Sequence, residues 1–217
     1  MHLSGACVGR RALLDGLEQP GLYSWWVDAA GAREVSTGLG AEVAPGRIYA
    51  GQAGATKWPS GKLSTASLGS RIRTQHLGGN IYGSTFRFTL ASSLFGELGL
   101  LATGQKRLAG TGEARLSAWI REHLSVAVSP YPSRDALGNL EDRVLGHLDP
   151  PLNLDGMGPS EVRARLTEAR KHLFAPGQTP SYGKRVEPVQ PSVARGPRRG
   201  EQMDDDAGTR WTEAISS

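Results

Sequence analysis

The 217-residue chain is 38% hydrophobic and carries 29 glycines and 13 prolines, which fits one domain with extensions better than two full domains. Its one cysteine, Cys7, excludes an intramolecular disulfide framework and suits a reducing cytoplasm, and no apolar run approaches the roughly 20 residues that span a bilayer. A formal charge of +4 allows an anionic partner without requiring one, and the N-terminal segment lacks the apolar stretch of a secretory signal.

Arg10 to Glu18 reads as a short helix with Leu13, Leu14 and Leu17 on one face, stopped by Pro20. Gly21 to Val27, "GLYSWWV", is rich in aromatic and β-branched residues and reads as a strand. The small, polar, glycine-laden "AAGAREVSTGLGAEVAPG" reads as a connection to a second strand at "RIYAG", so the two strands form an antiparallel hairpin with a long loop. "QAGATKWPSGKLSTAS" is loop-like. "SLGSRIRTQHL" then opens a helix with Ser67 as N-cap, and "GSTFRFTLASSLF" a second one capped near Ser84.

"EARLSAWIREHL" sets Leu116, Trp119, Ile120 and Leu124 along a helical stripe, and "LSVAVS" after it reads as a third strand. "ALGNLEDRVLGHLDPP" and "PSEVRARLTEARKHLF" are the last two helices. From Ala175 the chain loses apolar periodicity and mixes Pro, Gly and Arg with an acidic triplet, the composition of a disordered tail. The pattern divides into a 1–19 helical extension, a 20–155 domain, a 156–174 helix packed on it and a 175–217 tail. The fold class is α/β (α+β), a small, mostly antiparallel three-stranded sheet flanked by helices.

If the first two strands pair, Tyr23 and Tyr49 can reach one sheet face, because side chains alternate along a strand. Arg71, Arg73 and His76 lie on the next helix, Glu141 lies mid-helix in "NLEDRVLGHLDPPLN", and Asn153 closes that stretch. Taken singly, each residue has a plain reading: tyrosine as filler, Glu141 and the arginines as solvated charges, His76 as a cap. Trp25 and Trp26 cannot both face one side of a strand, so one belongs to the core. Other chemistries lack their signatures. There is no phosphate loop with its lysine, no zinc-ligand spacing and no Gly-x-Ser-x-Gly elbow.

The order "GLY", "YAG", "LGSRIRTQH", "LED", "PPLN" resembles the GIY-YIG nuclease family over roughly Pro20 to Leu154. Leu22 and Ala50 replace isoleucine at the middle of the two tripeptides and leave each tyrosine and glycine in place. The resemblance implies a metal-dependent endonuclease acting on DNA, with Mg2+ or Mn2+ as the cofactor and no organic cofactor. It implies Tyr23 and Tyr49 as activators of water, with His76 as a further site member. Arg71 would bind the scissile phosphate, fitting the family pattern better than Arg73. Glu141 would be the metal ligand. Arg73, Asn153 and Gly51 fall on the substrate side, Asn153 holding the phosphate side or the metal helix. Phosphodiester hydrolysis needs these types: a proton acceptor for water, a guanidinium for the phosphate, and a carboxylate for a hard cation that keeps most of its waters. Restriction or defence, repair or mobile-element cleavage, and a binding module that keeps the fold without cutting are the roles left open. Cutting both strands with one site implies a homodimer or sequential nicking.

Overall fold

The computed structural model describes residues 16–57, 59–103 and 107–173. The helix expected from Arg10 to Glu18 lies outside them apart from a turn beginning at Gly16, and the tail from residue 175 lies outside them entirely. In chain order the elements are β1 (Gly21–Val27), α1 (Ala29–Leu39), β2 (Gly46–Ala53), a π-helix (Ser70–Leu77), α2 (Thr85–Ser93), the short strands β3 (Ala102–Thr103) and β4 (Arg107–Leu108), α3 (Gly112–His123), β5 (Leu124–Pro130), α4 (Arg134–Leu148) and α5 (Glu161–His172).

β1, β2 and β5 form an antiparallel sheet in the order β2-β1-β5, so the strand first in sequence is central in space. Its alternation fits that place: Gly21, Tyr23, Trp25 and Val27 are buried, while Leu22, Ser24 and Trp26 between them are half-buried on the other face. The expected sheet, flanked by helices, is therefore present. β3 and β4 pair as a separate two-stranded ribbon that the sequence pattern does not announce.

One expectation fails. The connection after β1 is a helix, α1, so β1 and β2 are antiparallel neighbours joined through a helix and not a hairpin with a long loop. Asp28 caps it, its carboxylate accepting the Gly31 N–H at 2.7 Å, and Ala32, Val35 and Leu39 bury one stripe. Gly40 closes the helix in the left-handed conformation at φ 62°. Gly38 marks a close approach, not a break: a side chain there would run into the Ser93 carbonyl at the end of α2. Tertiary packing overrides the poor helix propensity of glycine.

The remaining helices fall where their apolar spacing places them. Ser84, Ser133 and Ser160 cap α2, α4 and α5 through their hydroxyls. Ser67 and Ser70 exchange side-chain-to-backbone hydrogen bonds at 3.2 and 2.9 Å, a reciprocal cap that starts the helical turn leading into the π-helix. The core gathers Trp25, Ile48, Leu68, Phe86, Leu90, Leu116 and Ile120 between the sheet and the helices, with Leu166 of α5 closing it. No helix among the described residues is long and apolar enough to cross a membrane.

Candidate active site

The site grows from the sheet face that carries Tyr23. Tyr23 stands opposite Gly51 and Trp25 opposite Tyr49, so the two tyrosines are diagonal neighbours on one face. Phe86 of α2 packs against this face, stacked on Trp25 at 4.8 Å between ring centroids and tilted against Tyr49 at 5.1 Å. Trp26 takes the other face, its indole N–H on Ser24 and the Arg47 guanidinium 4.7 Å above its ring. A β-carbon on Gly51 would sit 2.7 Å from the Tyr23 hydroxyl oxygen. Gly51 is glycine because Tyr23 lies across it.

The Tyr23 hydroxyl is 2.9 Å from His76 Nε2, and His76 Nδ1 is 2.8 Å from Ser84 Oγ. The Ser84 oxygen also accepts the Arg87 backbone N–H, so the cap of α2 ends a chain of three side chains. Burial, then the charges of Arg71 and Arg87, push His76 from its ordinary value of 6.5 down to about 3. The resemblance implied His76 only as a further site member; the structure holds it as a neutral ring hydrogen-bonded to Tyr23. Burial, then the neighbouring Tyr49, raise the Tyr23 phenol well above 10, against the pull of Arg71. Tyr49 is raised to about 12, by burial first and by Glu141 second.

The π-helix brings Ile72 and His76 inward together and stacks Arg71 on Gln75, whose side-chain oxygen accepts from Arg71 Nη1 at 2.6 Å. Among the described residues, Arg71 Nε is buried without a hydrogen-bond partner. Arg71 lies within electrostatic reach of Tyr23, Tyr49, His76 and Glu141, whereas Arg73 is exposed. Glu141, half-buried on α4, is raised from 4.5 to about 7 by burial and by Asp142, while the Gln52 backbone N–H and Arg71 work the other way. Asp142 beside it is exposed.

Asn153 is buried and its amide is spent on the sheet. Its Oδ1 accepts the Ala50 N–H at 3.0 Å and its Nδ2 donates to the Ala50 carbonyl at 2.8 Å. Of the places open to it, Asn153 takes the structural one, fastening the segment after α4 to β2 between Tyr49 and Gly51. Arg163 secures the same segment, donating to the carbonyls of Asn153, Pro150 and Gly158 and to the Asp149 carboxylate at 2.6 Å. Arg87, also buried, ties the His76 carbonyl to Glu113 and Ser117 of α3. The sequence reading passed over both arginines. The signal was there for Arg87, an arginine between two phenylalanines in "TFRFT", while "EVRARL" gives none for Arg163.

Tyr49, Thr85, Thr89, Glu141, Asn153 and Arg170 border a cleft of about 240 Å³. A larger, more open hollow of about 540 Å³ beside α5 is lined by neither of the site tyrosines, nor by Arg71 or Glu141. Among the described residues no three His, Cys, Asp or Glu side chains converge to enclose a metal ion. A cation held by one carboxylate and water still fits, because Glu141 is a half-buried carboxyl short of positive charge, pushed up to about 7 despite Arg71. The arrangement is thus two phenols, a neutral imidazole, a guanidinium and an under-compensated carboxylate around one edge of the sheet.

The family model described as the GIY-YIG catalytic domain matches residues 21–172, more than half of the chain and inclusive of α5. No curated protein and no solved structure matches it.

Proposed function

The chain belongs to the GIY-YIG catalytic domain family, and on that premise we propose that it is a metal-dependent endonuclease that hydrolyses DNA phosphodiester bonds. The observation that carries this reading is the convergence of Tyr23, Tyr49, Arg71 and Glu141 from four different elements around one sheet edge.

In the proposed mechanism His76 donates its Nδ1 proton to Ser84, leaving Nε2 to accept the Tyr23 O–H. That fixes the phenol so that its oxygen lone pairs face the attacking water. Tyr23 accepts a hydrogen bond from the attacking water and polarises it, Tyr49 orients the same water, and the water's proton passes to a non-bridging oxygen of the phosphate as the new P–O bond forms. Arg71, with only Nη1 engaged by Gln75, directs its other donors at the oxygens of the scissile phosphate. A divalent cation such as Mg2+ or Mn2+, when held by Glu141, supplies positive charge to the phosphate and the leaving oxygen. Arg73, exposed beside this group, contacts the strand further along, and Gly51 keeps the floor open beneath Tyr23.

Plasmid cleavage tests the reading. Wild type with Mg2+ or Mn2+ is expected to nick or linearise supercoiled plasmid, Glu141→Ala to lose that activity and Asp142→Ala to keep it. No cleavage of DNA by wild type under either metal would sink the nuclease reading, and an active Glu141→Ala with a dead Asp142→Ala would sink the assignment of the carboxylate.

A further inference from the structure

The cleft beside Tyr49 contains two polar groups that the proposed reaction leaves unused. Arg170, from the last turn of α5, is half-buried, with its guanidinium 4.5 Å over the Phe88 ring. Among the described residues it makes no hydrogen bond, and no carboxylate lies within ion-pair distance. The charge of Asp155 is felt there, yet burial still pulls the guanidinium below its ordinary value. Thr89, on the face of α2 that also carries Thr85, is 1% exposed, and among the described residues its hydroxyl has no hydrogen-bond partner. Both residues border the cleft that Glu141 and Tyr49 share. A partly desolvated guanidinium without a close ion pair and a buried hydroxyl without a hydrogen bond are each costly in isolation. Both line one cleft, where a single tetrahedral oxyanion would offer each an acceptor.

We propose that Arg170 and Thr89 bind a second phosphate of the nucleic-acid strand, next to the one that is cut, and so seat the strand across Glu141. This rests on the nuclease reading. Asp142 on α4 also borders the cleft, so the second phosphate lies toward Arg170 and away from α4, although Asp155 is within electrostatic reach of Arg170 as well. The aromatic contact with Phe88 holds the guanidinium in place before substrate arrives, which limits the entropy lost on binding.

The test uses the full chain carrying Glu141→Gln, which on the nuclease reading is not expected to cut, and a fluorescein-labelled DNA duplex read by anisotropy across a salt series. Adding Arg170→Gln is expected to weaken binding about tenfold and to reduce the slope of log affinity against log salt by about 0.9, as removal of one phosphate neutralisation does. Arg170→Lys keeps a charge and is expected to keep the slope. Arg121→Gln, on the exposed side of α3, is expected to change nothing. In the active protein Arg170→Gln raises KM while kcat stays within about twofold, the pattern of weakened ground-state binding. Thr89→Val is expected to melt higher than wild type, because an unpaired hydroxyl is gone, and still to bind more weakly. An unchanged slope in Arg170→Gln, or unchanged binding in Thr89→Val, overturns the assignment of that residue while wild type still cuts. A wild type that neither cuts nor binds DNA overturns the nuclease reading and this site with it.

Discussion

Single atoms decide the chemistry at Tyr23. The ring lies across Gly51 so closely that one β-carbon would displace it, and its hydroxyl reaches His76 only from there. Gly51→Ala is therefore expected to cost about 1–3 kcal/mol in stability and to reduce cleavage more than a loss of folded protein explains, measured as kcat alongside a denaturant melt. Arg71→Ala should lower kcat about 100-fold or more, as removal of a transition-state donor does, and Arg73→Ala far less. Two titrations oppose each other in the metal-free protein. Glu141 is raised from 4.5 to about 7, so its stabilising contribution is complete below 4.5 and is lost as pH rises through 7. His76 is lowered from 6.5 to about 3, so its contribution is present above 6.5 and is lost as pH falls toward 3. Thermal melts of Glu141→Gln should then show stability rising with pH between 4.5 and 6.5, and those of His76→Gln should show it falling. Parallel profiles for the two variants would contradict these assignments. Mg2+ should bind wild type more tightly as pH rises through 7, because the cation competes with a proton at Glu141.

At the scale of elements, each helix that serves the site is held by a short-range device. Ser84 both caps α2 and ends the Tyr23–His76 chain, so Ser84→Ala is expected to cost about 1 kcal/mol of stability and to lower kcat besides. A valid check is Ser84→Thr, which should restore both. Arg163 gathers three carbonyls and a carboxylate beneath the Asn153 clamp. Arg163→Ala leaves the carbonyls of Asn153 and Pro150 buried without their donor, while the exposed Asp149 carboxylate returns to water, and is expected to destabilise the fold by about 1–3 kcal/mol, read by urea denaturation. The π-helix, α2, α3, α4 and α5 were legible as apolar periods with serine or glycine punctuation. α1 was not, because Gly31, Gly38 and Gly40 with a polar face imitate a loop when neighbours are unseen. Gly38 faces the Ser93 carbonyl, an approach that no local window contains.

Over the whole molecule, charge is distributed unevenly along the chain. Between Glu42 and Glu97 there is no acidic residue, although 21 of the 217 residues are Asp or Glu. That stretch supplies Tyr49, Arg71 and His76, and it carries exposed Lys57 and Lys62, which pair across an antiparallel bridge. Like charges facing each other on adjacent strands disfavour the bridge unless an anion lies against them. Replacing both lysines with glutamine is expected to lower the salt slope of DNA binding by about 0.9 for each lysine that neutralises a phosphate and to leave kcat unchanged. An unaltered slope would place the strand elsewhere.

The sequence by itself determined the fold class and the residue types of the site, since strand alternation, helical period and the order of tyrosine, arginine, glutamate and asparagine are all local or ordinal properties. Tertiary structure alone decided that Arg71 and not Arg73 lies within electrostatic reach of Tyr23, Tyr49 and Glu141, why Gly51 has no side chain, that Asn153 clamps a strand, and that His76 is too weakly basic to hold a proton at neutral pH. Each of these depends on burial and on contacts between residues distant in the chain, down to the Tyr23–His76 bond across 53 positions. Dielectric and distance set them, and a linear pattern carries neither.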